Sequence, residues 1–251
     1  MILIIDIGNT NITCAVFKQN DIIYKFSIKS NIATPEKVYS DSLKKQLIQY
    51  SITKCAIASV VPELNNIVKN IIDTAFHINS IIIDNNFYFG INIKTPDSVG
   101  IDRVANAVYA SKMYKFPAIV VDSGSATTFD IIDKNGDFIG GIIAPGIKTQ
   151  LKSLHEHTAK LPMLDIEHIS QNINAIGQNT ETAMLSGVIL GTACAIEGLI
   201  NECKKELDEK TTVIGTGGFA LLLSKYMTKP FDIIDPEFTL KGIKTIFEIN
   251  N

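Results

Sequence analysis

One pattern occurs twice in this chain, and it limits the possible folds more than any other feature. The segment from Ile4, IIDIGNTNITCAVFKQNDII, aligns without a gap with the segment from Val120, VVDSGSATTFDIIDKNGDFI, at a constant offset of 116 residues. Asp6 falls on Asp122, Gly8 on Gly124, Lys18 on Lys134 and Asp21 on Asp137. Among apolar positions, Ile4 and Ile5 fall on Val120 and Val121, and Ala15 and Val16 on Ile131 and Ile132. The offset is close to half of the 251 residues. That spacing predicts two copies of one topology, not a solenoid of short repeats. Each copy reads as a hydrophobic strand, a small-residue turn, a second strand, a polar turn and a third strand. Asn135-Gly136 is a strong hairpin signal in the second polar turn.

Helical periodicity follows each set of strands. In the first half, Thr34 as N-cap and Pro35 at the first helical position predict a helix to residue 50. A buried strand over 54–61, a helix over 63–76, a short strand over 80–83 and a helix over 101–114 follow. In the second half the spacing predicts a helix over 148–157 and a long helix over 180–207. The long helix carries Met184, Val188, Cys194, Ile196, Leu199, Ile200 and Cys203 on a broad apolar face. Gly187, Gly191 and Gly198 would let another helix approach it closely. A strand over 212–215, a helix over 218–226, a strand over 231–234 and a closing helix over 236–246 complete the chain. Strands then helices, twice, predict two α/β domains, 1–115 and 116–251, packed tightly with a cleft between them.

Charge and composition exclude several classes. A formal net charge of −3 leaves no basic footprint for nucleic acid. The longest apolar runs are read as broken by Asp, Asn or Lys, so no membrane span is expected. Cys14, Cys55, Cys194 and Cys203 lack C-x-x-C spacing and read as small core residues in a reducing compartment. The opening MILIIDIGNT has no basic leader. A cytoplasmic location is the expectation.

Four short segments carry chemistry. In Asp6-Ile7-Gly8-Asn9-Thr10 an apolar strand ends in a carboxylate. Gly8 then allows a tight turn, while Asn9 and Thr10 add donors. Outward amides suit a phosphate, and one carboxylate suits a hydrated magnesium ion. An ordinary Asx-capped turn has the same composition. Asp122-Ser123-Gly124-Ser125-Ala126-Thr127-Thr128 repeats the arrangement. Thr216-Gly217-Gly218 joins a strand to a helix and presents free amides, as does Gly140-Gly141 with Pro145-Gly146. Gly100-Ile101-Asp102-Arg103 opens a helix, where an acid and a base can enter a cleft or simply cap the helix in solvent.

DIGNTN followed by DSGSATTFD resembles the paired phosphate loops shared by actin, Hsp70 chaperones, and sugar and acetate kinases. With GIDR, ASVVP, GGIIAPG, TAKLP, IGQNT and TGG in order over nearly the whole chain, the sequence resembles the type III pantothenate kinase family. The resemblance implies two ribonuclease H-like, actin-like ATPase domains, each a mixed sheet with flanking helices. It implies transfer of the ATP γ-phosphate to pantothenate, giving 4′-phosphopantothenate, the first step of coenzyme A synthesis. By the same resemblance Asp102 is the general base, while Gly100, Ile101, Arg103 and Thr180 bind substrate. Asp6 would hold magnesium through water, and Asp122 a monovalent cation, potassium or ammonium. Ile7, Gly8, Asn9, Thr10, Asn11, Gly124, Ser125, Thr127 and Thr128 would cradle the phosphates. Gly217 and Gly218 would lie against the adenosine, and the protein would be a homodimer. Two departures stand out. Ser125 replaces the usual threonine, and Thr95 stands where some members carry a substrate-contacting tyrosine. His155 and His157, at i and i+2, share no helix face and read as surface residues. Another small-molecule kinase of this fold, or an ATP-binding regulatory protein, is the alternative.

Overall fold

The computed structural model describes residues 1–94, 98–166 and 172–251. The chain divides into two compact units, Met1–Lys112 with Phe238–Asn251, and Met113–Glu237.

The first unit is built on five strands: β1 (Ile2–Ile7), β2 (Asn11–Lys18), β3 (Asp21–Lys29), β4 (Lys54–Ser59) and β5 (Ile81–Ile82). Their order is β3-β2-β1-β4-β5. The first three form an antiparallel meander, and β4 and β5 join in parallel. Alternation along β1 explains why the sheet is buried on both faces. Leu3, Ile5 and Ile7 pack with α1 (Glu36–Leu47) and α2 (Pro62–Phe76). Ile4, with Ala15 and Phe17, packs on the other face with α3 (Ile101–Met113) and the closing helix (Phe238–Ile249). Pro35 does not take the first helical position under a Thr34 cap. It sits just before α1 in extended conformation, with φ −59° and ψ 140°, and the helix starts at Glu36.

The expected boundary at 115/116 needs correction at the C-terminus. The closing helix belongs to the first unit, because its apolar face covers the sheet face that β1, β2 and β4 present. Leu240, Ile243, Ile246 and Phe247 are buried there. Gly242 lies against the Ala105 backbone of α3, and the Phe238 ring meets Tyr109 edge-on at 4.8 Å. The Lys244 ammonium, largely buried, is held by Asn20 Oδ1 at 3.1 Å and by Glu248.

The second unit repeats the topology. Strands β6 (Ala118–Ser123), β7 (Ala126–Ile132), β8 (Phe138–Pro145), β9 (Thr212–Thr216) and β10 (Ile233–Ile234) run in the order β10-β9-β6-β7-β8. Again a meander is extended by parallel strands. The registers confirm the duplication and correct its alignment. Asp6 faces Thr13, whereas Asp122 faces Thr128. Both second strands carry an irregularity, between Val16 and Phe17 and between Ile131 and Ile132. β2 therefore matches β7 one residue earlier than the gapless alignment has it. The turn after β6 is one residue shorter than its counterpart, and the following hairpin turn is one longer. Ala15 and Val16 correspond to Asp130 and Ile131, and Lys18 to Asp133, not Lys134. Two compensating loop changes restore the offset by Asp21 and Asp137, so an ungapped comparison passes over both.

Helices α4 (Ile147–Glu156), α5 (Thr180–Leu185), α6 (Gly191–Glu206) and α7 (Ala220–Ser224) complete this unit, and the closing helix is α8. A π-turn over Ser186–Leu190 joins α5 to α6. The resulting helix, Thr180–Glu206, is long and apolar enough to cross a membrane by length and composition. The expectation that no stretch qualifies was wrong, since only Glu197 interrupts residues 183–200. A core helix passes the same test, and Val188, Ile189, Ala193, Ile196 and Ile200 are buried here against Phe129 and Val121. At Gly187, Gly191 and Gly198 an added Cβ would meet nothing within 4 Å, so these glycines admit no other helix of this chain among the described residues. Cys14 and Cys55 are core residues as expected; Cys194 is exposed and Cys203 half-buried. Burial drives the Cys14 thiol well above its usual range and Cys55 to about 12, which makes both inert as nucleophiles.

Candidate active site

In the first unit, Asp6 lies near the end of β1 between Thr13 of β2 and Ala58 of β4. Register puts Asp6, Thr13 and Ser27 on one face, and Thr13 Oγ1 and Ser27 Oγ are 3.1 Å apart. Gly8 closes the turn by donating its N–H to the Asn11 carbonyl at 3.0 Å. Asn9, Thr10 and Asn11 are exposed on it. The Ser30 N–H donates to the Thr10 carbonyl at 2.9 Å, and the Val60 N–H to the Ile7 carbonyl at 3.0 Å. A cavity of ≈ 790 Å³ opens here, with Asn9 and Thr10, Lys29–Ile32, and the start of α2 as walls. Sequence reasoning overlooked Lys29. Its only signal is register, since it pairs with Asn11 of the turn.

Asp102 belongs to the same neighbourhood. Its carboxylate folds back over Gly100, so that a Cβ on Gly100 would lie 2.5 Å from Asp102 Oδ1 and 3.4 Å from Val60 Cγ1. Val60 thus bridges the Gly100 segment and the turn after Asp6. Asp102 Oδ1 accepts the Arg103 N–H at 2.9 Å. Burial raises the Asp102 pKa above the usual carboxylate range, and the Arg103 amide and charge only partly oppose it. A carboxylate held this way is a better proton acceptor near neutral pH than an exposed one. Ile101, expected to bind substrate, commits its side chain to the core.

In the second unit three motifs meet around Asp122, which pairs with Thr128 and Thr216. Gly217 has φ +84°, and a Cβ there would collide with the Asp122 carboxylate and, at 2.7 Å, with the Ser123 backbone. Phe219 donates its N–H to the Ser123 carbonyl at 3.1 Å, and Gly124 to the Ala126 carbonyl at 2.9 Å. The Ser125 carbonyl accepts the Gly146 N–H at 3.1 Å and the Thr149 hydroxyl at 2.7 Å, tying the turn to α4. Gly218 is exposed. Thr128 shares the Asp122 face, whereas Thr127 points to the opposite face and is buried. Its hydroxyl is therefore a core group, and the Thr127 backbone is what remains for a ligand.

Thr180 stands apart from this cluster in its hydrogen bonding. It is exposed at the start of α5, where Asn179 and Thr182 form a reciprocal cap. Asn179 Oδ1 accepts the Thr182 N–H at 2.8 Å, and Thr182 Oγ1 accepts the Asn179 N–H at 3.1 Å. His155 Nδ1 lies 2.8 Å from the Leu161 carbonyl, and His157 ends α4. Thr95 lies outside the described residues. Among the described residues no three His, Cys, Asp or Glu side chains converge as a metal site.

The family model for type III pantothenate kinase matches residues 2–202. A type III pantothenate kinase from Agathobacter rectalis is 38% identical over 261 residues, spanning 100% of this chain and 98% of its own. One from Finegoldia magna is 37% identical over the same shares. Among solved structures, a conserved Baf family transcriptional activator from Campylobacter jejuni superposes with a TM-score of 0.63 at 24% identity, covering 99% of this chain and 98% of its own. That likeness establishes the fold, two α/β units of one topology. With four fifths of its length matched and full-length relatives above 30% identity, this chain belongs to the type III pantothenate kinase family.

Proposed function

We propose that this protein transfers the γ-phosphate of ATP to the primary hydroxyl of pantothenate, yielding 4′-phosphopantothenate at the entry to coenzyme A synthesis. The observation that carries the reading is the partly buried Asp102 carboxylate folded back over Gly100, whose neighbour Val60 is hydrogen-bonded to Ile7 at the turn after Asp6. Phosphoryl transfer needs positioning, charge neutralisation and a proton acceptor. Asp102 accepts the hydroxyl proton, and Gly100 and Arg103 orient the acceptor with Thr180. The backbone of Ile7, Gly8, Asn9, Thr10 and Asn11, and that of Gly124, Ser125, Thr127 and Thr128, cradles the phosphates. Gly217 and Gly218 lie against the adenosine.

Asp6 would hold magnesium through water. An aspartate near a strand end suits an ion that keeps most of its own hydration. Asp122, packed against Gly217, would hold potassium or ammonium, and either ion would supply charge neutralisation to the phosphates. The protein acts as a cytoplasmic homodimer in this reading. In support, Ala183, Gly187, Gly191, Cys194, Ala195 and Gly198 form an exposed small-residue face on the helix of α5 and α6, suited to a second copy. An ADP-release assay with pantothenate and ATP, in potassium and then in sodium alone, tests the reading. Turnover dependent on pantothenate and potassium is expected. Nucleotide binding without turnover would favour a regulatory role, and full activity in sodium would remove the cation from Asp122.

A further inference from the structure

We infer that Lys29 is a further nucleotide-binding residue, whose ammonium takes a phosphate oxygen beside Asn9 and Thr10. The inference rests on the kinase reading above. Among the described residues the Lys29 ammonium has no ion pair or hydrogen bond, and Lys29 is one of the residues lining the same cavity as the turn after Asp6.

Register gives its direction. Lys29 pairs with Asn11, two residues along from the Thr13–Ser27 pair, and Thr13 faces Asp6. Paired residues share a face, so Lys29 projects on the Asp6 side of the sheet, about 7 Å further toward the turn and roughly 10 Å across. A phosphate lying on the turn is then flanked by the Asp6 carboxylate and, within reach of a lysine side chain, by the Lys29 ammonium.

The backbone that carries this lysine is fixed on both sides. Ser30 donates its N–H to the Thr10 carbonyl at 2.9 Å. The buried Tyr39 hydroxyl accepts the Asn31 N–H at 2.8 Å and lies 3.3 Å from the Lys29 carbonyl. Asn31 Oδ1 accepts the Ala33 N–H at 2.9 Å. An anion would therefore meet a charge on a prepared strand end, with little chain left to order. The first turn of α2, which no side chain caps, opens on the same cavity and adds the positive end of a 15-residue helix. Glu63 also lines this cavity and offsets part of that field. The acceptor's own carboxylate is a second source of the same chemistry, and kinetics separates the two.

In full-length protein, Lys29→Gln should raise KM for ATP about tenfold, the scale of one charge-assisted hydrogen bond. KM for pantothenate and the melting temperature should hold. Lys29→Arg should recover most of the loss, and Lys37→Gln on α1, the same charge change elsewhere, should do nothing. An unchanged KM for ATP, or a rise in KM for pantothenate alone, overturns the inference. Equilibrium binding of a non-hydrolysable ATP analogue keeps the two readings apart. A chain without turnover sinks the kinase reading, while an unchanged Kd in Lys29→Gln sinks this one.

Discussion

Replacing Gly100 by alanine separates the position of Asp102 from its presence. The new Cβ would lie 2.5 Å from Asp102 Oδ1. An unstrained carbon–oxygen contact is about 3.3 Å, so the carboxylate must retreat by about 1 Å. Retreat is easy, because the obstructed atom is the far end of a side chain. Gly100 is not among the residues with positive φ, so alanine meets no left-handed strain there. The neighbouring Val60 Cγ1, at 3.4 Å, stays within ordinary contact. The structural cost is the 2.9 Å bond from the Arg103 amide, a net loss of about 1 kcal/mol. Alanine recovers about half of that by restricting the unfolded chain. The melting temperature should therefore fall by no more than about 4 °C. Catalysis should suffer far more, since a 1 Å misplacement of a reacting group costs about 100-fold. The assay is kcat for ADP release, with KM for ATP and a thermal melt on the same preparation. A kcat within threefold of the parent would refute the placement of Asp102 at the reacting hydroxyl. A fall of roughly 10 °C or more would show that Gly100 holds the fold and not the base.

Asp102→Asn should lower kcat by about 1,000-fold, the scale of a lost general base, while leaving ATP binding intact. It should also raise the melting temperature at pH 7. Because burial raises the folded-state pKa of Asp102, its contribution to stability is present below the unfolded-state pKa and lost as pH rises through the folded value. The ionised carboxylate thus costs stability at neutral pH, and a less stable Asp102→Asn would contradict that sign. For the same reason the acid limb of the pH–rate profile should fall above the usual carboxylate range, and a limb within or below that range would deny Asp102 the base role. Gly242→Ala should destabilise by about 1–2 kcal/mol, net of its gain in helix propensity. Its Cβ would press on the Ala105 backbone of α3 at 2.6 Å. Chemical denaturation checks it, and an unchanged midpoint would deny the close approach of α3 and α8. Ser123→Ala should be neutral or slightly stabilising, because the buried Ser123 hydroxyl has no hydrogen-bond partner among the described residues; a loss above about 1 kcal/mol in the same titration would reveal a partner for that hydroxyl.

Both phosphate-loop candidates were legible because their signals are local. A strand ending in Asp, a glycine and small polar residues needs only a few consecutive positions, and Asp6 and Asp122 each stand one residue before the end of the first strand of their meander. The TGG junction was legible for the same reason: Gly217 has the positive φ that glycine adopts readily. Lys29 was not, because its relation to the turn is a pairing between Asn11 and residue 29, fixed by a hairpin register with an irregularity in it. The one-residue slip between β2 and β7 escaped for a related reason, two loops changing length in opposite senses. The long helix misled in both directions. Its composition hid an apolar stretch within a 27-residue helix, and its glycines, expected to meet another helix, face open space among the described residues.

The sequence by itself determined the duplicated strand-turn-strand unit, the two aspartate turns and the acid that opens α3, because hydrophobic period and turn chemistry act over short stretches of chain. Tertiary structure decided what no window of residues contains. It returned α8 to the first unit, where an uncovered sheet face and the Ala105 backbone accept Gly242 and its apolar neighbours. It folded Asp102 back over Gly100, and burial there, a property of packing and not of composition, is what raises its pKa.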